Sequence, residues 1–397
     1  MSLNLPSAPQ LAPIGFYVHH HGSGHATRCR QIAAAWPDDS PIHVFTSAPK
    51  YFAGWKGGTV HTLPPDVEEG RDPNQDLLTG EVFHYAPVGM RSVTNRMATM
   101  ANWMAENDPK LFIVDLSCEV ALFARLCGVN VALVRLHGYR KDPAHTAAFR
   151  LADTLLAPFP PCLEDDHTPD WVKDKTIYLG LFSRYDGRKE TREACYDQML
   201  GRAYPSPEPE LARRLRWQRH VAVVNGSGGK DQNIDYWEQV ARHNADHHFH
   251  LLGRLDRKTS EVENLTIVGY LSDTFPYLRG ADIIIGSGGT NTMGEIGAAS
   301  GRFLSLPEER PYGEQVYKMK ALAKYGLTRI VESETDPKDW RKWLRRANDL
   351  QPSRWRRLRR TAKFKVAVDQ LAERYSGKRI DAPAILDLPF GGQAQQA

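Results

Sequence analysis

The chain has 397 residues, 41% hydrophobic and 25% charged, with a formal net charge of +4 at pH 7, which fits a soluble α/β protein with two cores. The small net charge argues against nucleic acid as a main partner. Five scattered cysteines without a C-x-x-C pair predict reduced thiols in the cytoplasm, and neither a signal peptide nor a membrane span is expected.

The first predicted unit is a strand, a loop and a helix. Ile14 to Val18 is a short apolar strand, His19 to Gly24 a glycine-containing loop, and His25 to Trp36 a helix with one apolar face. The run Gly22-Ser23-Gly24-His25 therefore lies at a strand-to-helix turn. It lacks the last glycine of the dinucleotide fingerprint, so no nicotinamide cofactor is expected.

Three consecutive histidines, His19 to His21, raise the question of a metal site. Adjacent side chains diverge, and no acid or cysteine is spaced to complete a tetrahedral shell. The same holds for the group from His247 to His250. We therefore expect no metal site in the chain.

A βαβ unit is predicted in the middle of the first half. Leu111 to Val114 is a buried strand that ends in Asp115, Val120 to Leu126 is a helix, and Val129 to Val134 is the next strand. Asp115 and the segment Arg135 to Arg140 follow the carboxyl ends of their strands, the edge where α/β sheets bind ligands. Both are candidates to line a cleft, and for Asp115 a helix cap is the alternative.

The apolar periodicity fades between residues 183 and 218, which are charged and rich in proline and predict an interdomain linker. His220 to Val224 is then a strand, and the glycine-containing run Asn225 to Lys230 leads into another helix. Leu265 to Gly269 is a further strand, and Tyr270 follows its end. Tyr270 is either a core residue or a ligand contact.

A strand, a glycine turn and a helix are predicted between residues 281 and 301. Ile283 to Ile285 is β-branched throughout and too short for a helix, so it predicts a buried strand. Glycines at 286, 288 and 289 allow a tight turn, and Thr290 to Ala299 forms a helix ended by Gly301. Free N–H groups at such a helix start form an anion site, usually for phosphate.

Two acidic positions accompany this turn. Glu295 lies about one turn into the helix, where a carboxylate reaches the hydroxyls of a ribose. The alternative is a capping box over Thr292 to Glu295. Glu314 and Gln315 begin the next helix and suit sugar hydroxyls, although acids are also common in any first helical turn.

The C-terminal region is strongly basic. Eleven lysines and arginines and one acid lie between Arg341 and Lys365, with Trp340, Trp343 and Trp355 interleaved. This pattern fits docking on an anionic membrane surface, and the alternative is a solvated amphipathic helix.

Three of these motifs together resemble the GT-B glycosyltransferases. They are GSGHATR from Gly22, GGTNTMGEIGAASG from Gly288, and the Glu314-Gln315 pair. They are most similar to the bacterial family that adds N-acetylglucosamine to lipid-linked muramyl-pentapeptide. The resemblance covers motifs from about residue 14 to 317, and it implies an α/β, GT-B architecture of two Rossmann-like domains facing across a cleft.

The implied domain layout has four parts. Residues 1–182 form the acceptor-side Rossmann-like domain, 183–218 the linker, and 219–365 the domain that binds the nucleotide sugar. Residues 366–397 hold a helix, about 366 to 375, that returns towards the first domain, and then a loose tail.

The resemblance, together with the strand-end positions of Asp115, His137 and Arg140, gives the candidate site residues. The catalytic candidates are His25, as the base on the acceptor hydroxyl, and Asp115. The donor-binding candidates comprise two phosphate turns, a base-binding loop, a ribose contact and a sugar contact: Gly226, Ser227, Gly228, Gly229, Tyr270, Leu271, Gly288, Gly289, Thr290, Asn291, Glu295, Glu314 and Gln315. The acceptor-side candidates are Gly24, Arg28, His137 and Arg140.

The implied function is transfer of N-acetylglucosamine or another hexose from a UDP-sugar to the hydroxyl of a small-molecule or lipid-linked acceptor. No cofactor is expected beyond the co-substrate, and because no D-x-D motif stands at a strand end, backbone dipoles should meet the leaving-group charge. The alternatives are a UDP-N-acetylglucosamine 2-epimerase and a catalytically silent sugar-nucleotide-binding partner. Membrane contact would place the protein at the inner face of the membrane.

Overall fold

The structure is a computed structural model that describes residues 11–67, 82–224, 233–332, 334–361 and 364–376. Its strands are β1 (Ile14–Val18), β2 (Ile42–Thr46), β3 (Thr59–Thr62), β4 (Leu111–Asp115), β5 (Val131–Val134), β6 (Thr154–Ala157), β7 (Thr176–Tyr178), β8 (Arg219–Val224), β9 (His247–Leu252), β10 (Leu265–Gly269), β11 (Ile283–Gly286), β12 (Phe303–Ser305) and β13 (Thr328–Ile330).

Its helices are α1 (Gly24–Ala35), α2 (Arg91–Asn107), α3 (Cys118–Leu126), α4 (Pro143–Leu151), α5 (Asp170–Asp174), α6 (Arg192–Ala203), α7 (Pro209–Trp217), α8 (Ile234–His243), α9 (Phe275–Gly280), α10 (Thr290–Ala299), α11 (Glu314–Lys324), α12 (Trp340–Ala347), α13 (Ser353–Thr361) and α14 (Phe364–Arg374).

The strands form two parallel sheets with the same internal order. The first runs β3-β2-β1-β4-β5-β6-β7 and the second β10-β9-β8-β11-β12-β13. In each sheet the first strand along the chain lies in the interior. The next two strands are added on one side of it, and the chain then crosses over and adds the remaining strands on the other side. This is the doubly wound Rossmann arrangement, which binds ligands beyond the carboxyl ends of the two strands where the order reverses. Those strands are β1 and β4 in the first sheet, and β8 and β11 in the second.

The central strands are apolar because both of their faces are covered by helices. Ile14 and Ile113 are fully buried in the first sheet, and Ile283 to Ile285 are fully buried in the second. Such near-continuous burial is typical of parallel sheets. The helix α10 has the predicted bounds and β11 extends one residue further than predicted, to Gly286, but the left-handed residue that ends α10 is Ser300 and not Gly301. Gly301 is small for another reason: a Cβ there would lie 2.1 Å from Ile284 Cδ1.

The segment 183–218 is not the open linker that its composition predicts. It contains α6 and α7, and α6 packs against α9 beside the second sheet. Cys195 and Met199 are buried in this contact. They stand four residues apart, and this one-turn spacing places both on the buried face of a helix that is otherwise largely polar.

The returning helix is present as α14. Val368 and Leu371 are fully buried within the core of the first sheet, next to α1. The hydroxyl of Tyr375 lies 2.8 Å from Thr154 Oγ1 at the start of β6. The C-terminal end of the described chain is therefore anchored to the N-terminal half, and the predicted loose tail beyond residue 376 lies outside the described residues.

The basic C-terminal region folds as α12 and α13. Trp340 and Trp355 are buried in the core of the second half, so the interleaved tryptophans are mainly packing residues. The charged face of α12 carries the exposed cations Arg341, Lys342, Arg345 and Arg346. Within the described part of the chain, no helix combines the length and apolarity needed to span a bilayer.

Candidate active site

A cleft of about 1270 Å³ is lined by residues from both halves of the chain. From the first half it takes the β1–α1 loop and the residues after β4. From the second half it takes the β11–α10 turn and the start of α11. These are the ligand-binding edges that the two strand orders predict. The cleft is therefore the candidate site for the whole chain.

His25 lies in the first turn of α1, and its imidazole contacts a buried carboxylate. The distance from His25 Nδ1 to Asp115 Oδ1 at the end of β4 is 3.0 Å. Arg28, one turn along α1, contacts the same carboxylate with Nε 2.9 Å from Oδ2 and Nη2 3.1 Å from Oδ1. The register of β1 beside β4 brings these residues together, since Val18 pairs with Asp115.

The contact with Asp115 fixes the tautomer of His25. Without a proton on Nδ1, a nitrogen lone pair would face a carboxylate oxygen at 3.0 Å, so Nδ1 carries the proton and donates it to Asp115. Arg28 Nη2, 3.3 Å from Nδ1, then makes no hydrogen bond to it, because both nitrogens are donors. In the neutral imidazole with this tautomer, Nε2 carries the lone pair that a general base requires.

Asp115 itself is not a base on a substrate. Burial alone would raise the pKa of its carboxyl, but the Arg28 guanidinium and His25 bring this pKa well below its ordinary value. Both oxygens are occupied and the side chain is almost fully buried. The helix-cap alternative is also wrong, because Ser117 caps α3 by accepting a hydrogen bond from Val120 N. Asp115 instead orients His25.

Arg28 lies in the first-half lining of the cleft, as predicted. Only 3% of the residue is exposed, however, and its guanidinium is bound to Asp115. Gly24, in contrast, lies where the two halves meet. A Cβ on Gly24 would be 3.6 Å from Asn291 Nδ2 in α10, so the loop that carries His25 directly faces the glycine turn of the second half.

The β11–α10 turn has the predicted shape but not all the predicted contacts. Gly289 is the N-cap of α10, and the residues from Gly289 to Thr292 line the cleft. The first N–H groups of a helix have no intrahelical acceptor, so this turn presents donors to an anion. Gly288 is different, because its N–H donates to Gln315 Oε1 at 2.8 Å.

The side chain of Gln315 therefore stabilises the backbone of the turn. Its Oε1 accepts from the N–H of Gly288 and, at 2.9 Å, from the N–H of Glu308. The carbonyl half of the amide cannot also bind a sugar hydroxyl in this arrangement. Glycine at 288 allows this close approach, since a Cβ there would lie 3.0 Å from Gln315 Cβ and 3.2 Å from Met319 Cγ.

Glu295 lies one and a half turns into α10 and faces the cleft. The capping-box alternative is wrong, because α10 begins at Thr290 and no side chain caps it. Glu295 Oε1 instead accepts from Arg184 Nε at 2.8 Å. Burial raises the pKa of the Glu295 carboxyl, and Arg184 only partly offsets this effect. Arg184 also donates to the carbonyl of Ser272 at 2.7 Å, which ties Glu295 to the loop after β10.

Glu314 begins α11 and pairs with a lysine that we did not select from the sequence. Lys318 Nζ lies 2.8 Å from Glu314 Oε1. Burial alone would raise the pKa of the Glu314 carboxyl, but the Lys318 ammonium lowers it to about 2. Glu314 is therefore ionised and lines the cleft.

Tyr270 and Leu271 both line the cleft just after β10. Tyr270 is 70% exposed, so it is not a core residue. An exposed ring at this edge is available to stack on a ligand base. The other predicted phosphate turn, Gly226 to Gly229, lies outside the described residues.

His137 is a core residue and not part of the cleft lining. It is buried, its ring lies against Phe159 with the centroids 3.8 Å apart, and its Nε2 is 2.8 Å from the carbonyl of Leu163. Burial lowers the pKa of His137 to about 3. The alternation of side chains after β5 turns this residue inwards, while Arg140 three positions later does line the cleft.

Arg140 connects the two halves through Tyr312. Its guanidinium lies 4.9 Å from the centre of the Tyr312 ring, and the carbonyl of Tyr312 accepts from the N–H of Tyr139 at 2.8 Å. Tyr312 has a positive φ of 62°. That conformation is uncommon for a bulky residue, and strain of this kind concentrates at functional sites.

The argument that the adjacent histidines diverge is wrong. One potential ligand atom from each of His19, His20 and His21 lies within 4.8 Å of the others, and His20 Nδ1 is 3.6 Å from Asp66 Oδ1. A tight loop, with Gly22 at a φ of 74°, folds the three rings together. His84, Cys118 and His145 form a second such group among the described residues.

Sequence reasoning missed Lys318, Arg184 and Tyr312. The spacing of Glu314 and Lys318, four residues apart on a helix, was an available signal. No sequence signal marks Arg184, because it lies in a stretch with many other charged residues. Tyr312 follows a proline in a loop, and nothing local marks its positive φ.

Comparisons with known proteins agree with this architecture. The glycotransferase of kitacinnamycin superposes with a TM-score of 0.66 at 15% identity, covering 92% of this chain and all of that one. Acinetobacter baumannii MurG has a TM-score of 0.58 at 14% identity, covering 91% of this chain and 99% of that one. Phytolacca americana UGT2, in complex with UDP-2-fluoro-glucose and pterostilbene, has a TM-score of 0.63 at 11% identity, covering 92% of this chain and 100% of that one. The chain therefore has the GT-B fold, as predicted.

The sequence comparisons cover a smaller part of the chain than the structural ones. An uncharacterized glycosyltransferase of Methanosarcina mazei is 30% identical over 125 residues, which cover 30% of this chain. The match spans about a third, 32%, of that relative's length. No protein-family model matches the chain.

Proposed function

We propose that this protein is a glycosyltransferase that moves a sugar from a UDP-sugar to an acceptor hydroxyl. The observation that carries the proposal is the oriented His25–Asp115 pair, which faces the α10 N-terminus across one cleft. A base on one wall and an anion-binding helix start on the other are the two parts that glycosyl transfer needs. The GT-B fold and the glycosyltransferases among its structural neighbours support the same reading.

On the acceptor side, Nε2 of His25 takes the proton of the attacking hydroxyl. Asp115 holds the ring in the tautomer that makes Nε2 basic and stabilises the imidazolium that forms. Arg28 keeps Asp115 ionised throughout. The proton therefore moves from the acceptor oxygen to His25 while that oxygen bonds to the sugar.

On the donor side, the bond between the sugar and the diphosphate breaks and negative charge develops on UDP. The N–H groups from Gly289 to Asn291 and the dipole of α10 stabilise this charge. Glu314 is held ionised by Lys318 and is placed to accept from a sugar hydroxyl. Glu295 binds the ribose hydroxyls and Tyr270 stacks on the base.

The test is turnover of a panel of UDP-sugars with and without candidate acceptors, small-molecule and lipid-linked. A transferase releases UDP only when an acceptor is present. Conversion of a UDP-sugar to its epimer without acceptor would instead identify an epimerase. Binding of UDP with no turnover under any condition would identify a silent binding protein.

Replacing Glu295 with alanine should weaken UDP binding. A ribose-binding carboxylate lost from a charge-assisted hydrogen bond costs about 1.5 to 3 kcal/mol of binding free energy. Isothermal titration calorimetry on the parent, Glu295→Ala and the isosteric Glu295→Gln measures this directly. If the variants melt at lower temperature yet bind UDP as tightly as the parent, Glu295 serves only as the partner of Arg184.

Transfer should be independent of divalent metal. The leaving group is met by backbone N–H groups and a helix dipole, which need no ion. After exhaustive chelation the rate should therefore be largely retained. Loss of activity on chelation, with recovery in magnesium or manganese, would contradict this mechanism. The histidine groups at His19 to His21 and at His84 would then become candidate metal ligands.

Peripheral contact with an anionic membrane through α12 would suit a lipid-linked acceptor. Each of the four exposed cations of α12 contributes about 1 kcal/mol near such a surface, or about fivefold in affinity. Replacing Arg341 and Arg345 with glutamine should therefore weaken co-sedimentation with phosphatidylserine vesicles by about 25-fold. The same change at Arg213 and Arg216 of α7 is the control, and an equal loss in both variants would mean that no specific face docks.

A further inference from the structure

Lys318 is a lysine buried beneath the glycine turn of the second half. Only 1% of its side chain is exposed. Its ammonium group donates to the carbonyl of Gly288 at 3.0 Å, to Thr290 Oγ1 at 2.7 Å and to Glu314 Oε1 at 2.8 Å. An ammonium group has three protons, so these three acceptors satisfy it completely.

The three acceptors belong to three different segments that line the proposed donor site. Gly288 is in the turn, Thr290 is the first residue of α10, and Glu314 is the first residue of α11. Lys318 therefore holds the turn and both helix starts at one point. Such a contact determines where the free N–H groups of α10 lie relative to the Glu314 carboxylate.

Both backbone polar groups of Gly288 form hydrogen bonds with side chains of α11. Its carbonyl accepts from Lys318 Nζ and its N–H donates to Gln315 Oε1. Neither backbone group remains for a ligand, but the peptide is held in one orientation. The residues that follow it, from Gly289 to Thr292, line the cleft and form the start of α10, where backbone N–H groups have no intrahelical acceptor.

We propose that Lys318 is a positioning residue for the donor, acting on the diphosphate through the turn and on the sugar through Glu314. The inference rests on the proposed function, since it assumes that a nucleoside diphosphate occupies the turn. Lys318 touches no substrate itself. It fixes the amides that meet the phosphates and keeps Glu314 ionised and oriented.

The test compares the affinities of uridine, UMP and UDP, measured by calorimetry for the parent and for Lys318→Met. Methionine preserves most of the length and volume of the side chain but removes all three donors. The gain in affinity from uridine to UDP should fall about tenfold, or about 1.4 kcal/mol, because the N–H groups that meet the phosphates are no longer held in place by the contacts of Lys318. Affinity for uridine itself should stay within about twofold of the parent value.

Two further variants make the result decisive. Lys324→Met changes an exposed lysine on the same helix and should leave all three affinities unchanged. In Lys318→Met with Glu314→Gln, no buried carboxylate is left unpaired, so this double variant should fold even if the single one does not. It too should show the reduced gain from uridine to UDP.

Two outcomes would overturn the inference, and they are distinguishable. An equal loss of affinity for uridine, UMP and UDP would mean that Lys318 only supports the fold. A parent protein that binds none of the three ligands would refute the proposed UDP-sugar donor, and the positioning role would fall with it. An unchanged gain from uridine to UDP in a folded variant would refute the positioning role alone.

Discussion

His25→Ala should lower the rate of glycosyl transfer by about 10²- to 10⁴-fold while leaving UDP affinity nearly unchanged. The size of the loss is that of general base catalysis. The affinity is preserved because His25 stands on the acceptor wall of the cleft, and its known partners are Asp115 and Arg28. Acceptor-dependent turnover and UDP calorimetry on the same preparation measure both quantities.

The parent and the variant should also differ in pH dependence. Turnover of the parent rises as the imidazole loses its proton, and the variant should lack this rise. His243→Ala is a matched control, because His243 lies exposed in the last turn of α8. It should leave rate, affinity and melting temperature as they are.

Unchanged turnover in folded His25→Ala would remove this residue from the mechanism. The base could not then be Asp115, because Arg28 alone binds both of its oxygens in a buried position. The search would move to the other imidazoles that line the cleft, which are His19 to His21, His84 and His145. Loss of UDP affinity in parallel with turnover would instead indicate a structural histidine at the turn.

The local parts of the donor site were predictable from the sequence. A β-branched run, three glycines and a helix-forming stretch predicted β11 to within one residue and α10 with its observed bounds, and Glu314 is the first residue of α11 as expected. These features depend on neighbouring residues, because strand burial, glycine turns and helix starts leave local patterns. The strand-to-helix turn before His25 was found in the same way.

The side-chain partners were not predictable, because they come from distant parts of the chain. Arg28 and Asp115 are separated by 87 residues, and Arg184 and Glu295 by 111. The sequence around Asp115 does not show that its carboxylate is bound by side chains of α1 and is therefore unavailable to a substrate. Similarly, His137 follows a strand end as a ligand residue would, yet it turns into the core against Phe159.

The segment 183–218 shows a different failure. Charge and proline predicted a linker, and the two buried positions of α6, Cys195 and Met199, were too few to reveal a packed helix. A short amphipathic helix on the outside of a sheet needs only one apolar contact per turn. Composition therefore hid the segment that supplies Arg184 to the cleft.

Asp115→Ala should destabilise the protein by about 3 to 5 kcal/mol, the cost of leaving a buried charge unpaired. The unpaired group is Arg28, which is 3% exposed and makes two hydrogen bonds to Asp115. Chemical denaturation of the parent and the variant measures the difference in unfolding free energy. Arg28→Met with Asp115→Ala removes both charges and should recover much of this loss, whereas turnover should stay low because His25 has lost the group that orients it.

The same pair makes a prediction about pH with a definite sign. The pKa of Asp115 is held below its ordinary value in the folded protein, so the unfolded chain takes up this proton first as the pH falls. The stability that Asp115 contributes is therefore present in full above about pH 4, the ordinary carboxyl value, and decreases below it. The difference in unfolding free energy between the parent and Asp115→Ala should accordingly be constant from neutral pH down to about 5 and shrink under more acidic conditions. A difference that stays constant under those conditions would mean that folding does not lower the pKa of Asp115, and the ion pair with Arg28 would then be contradicted.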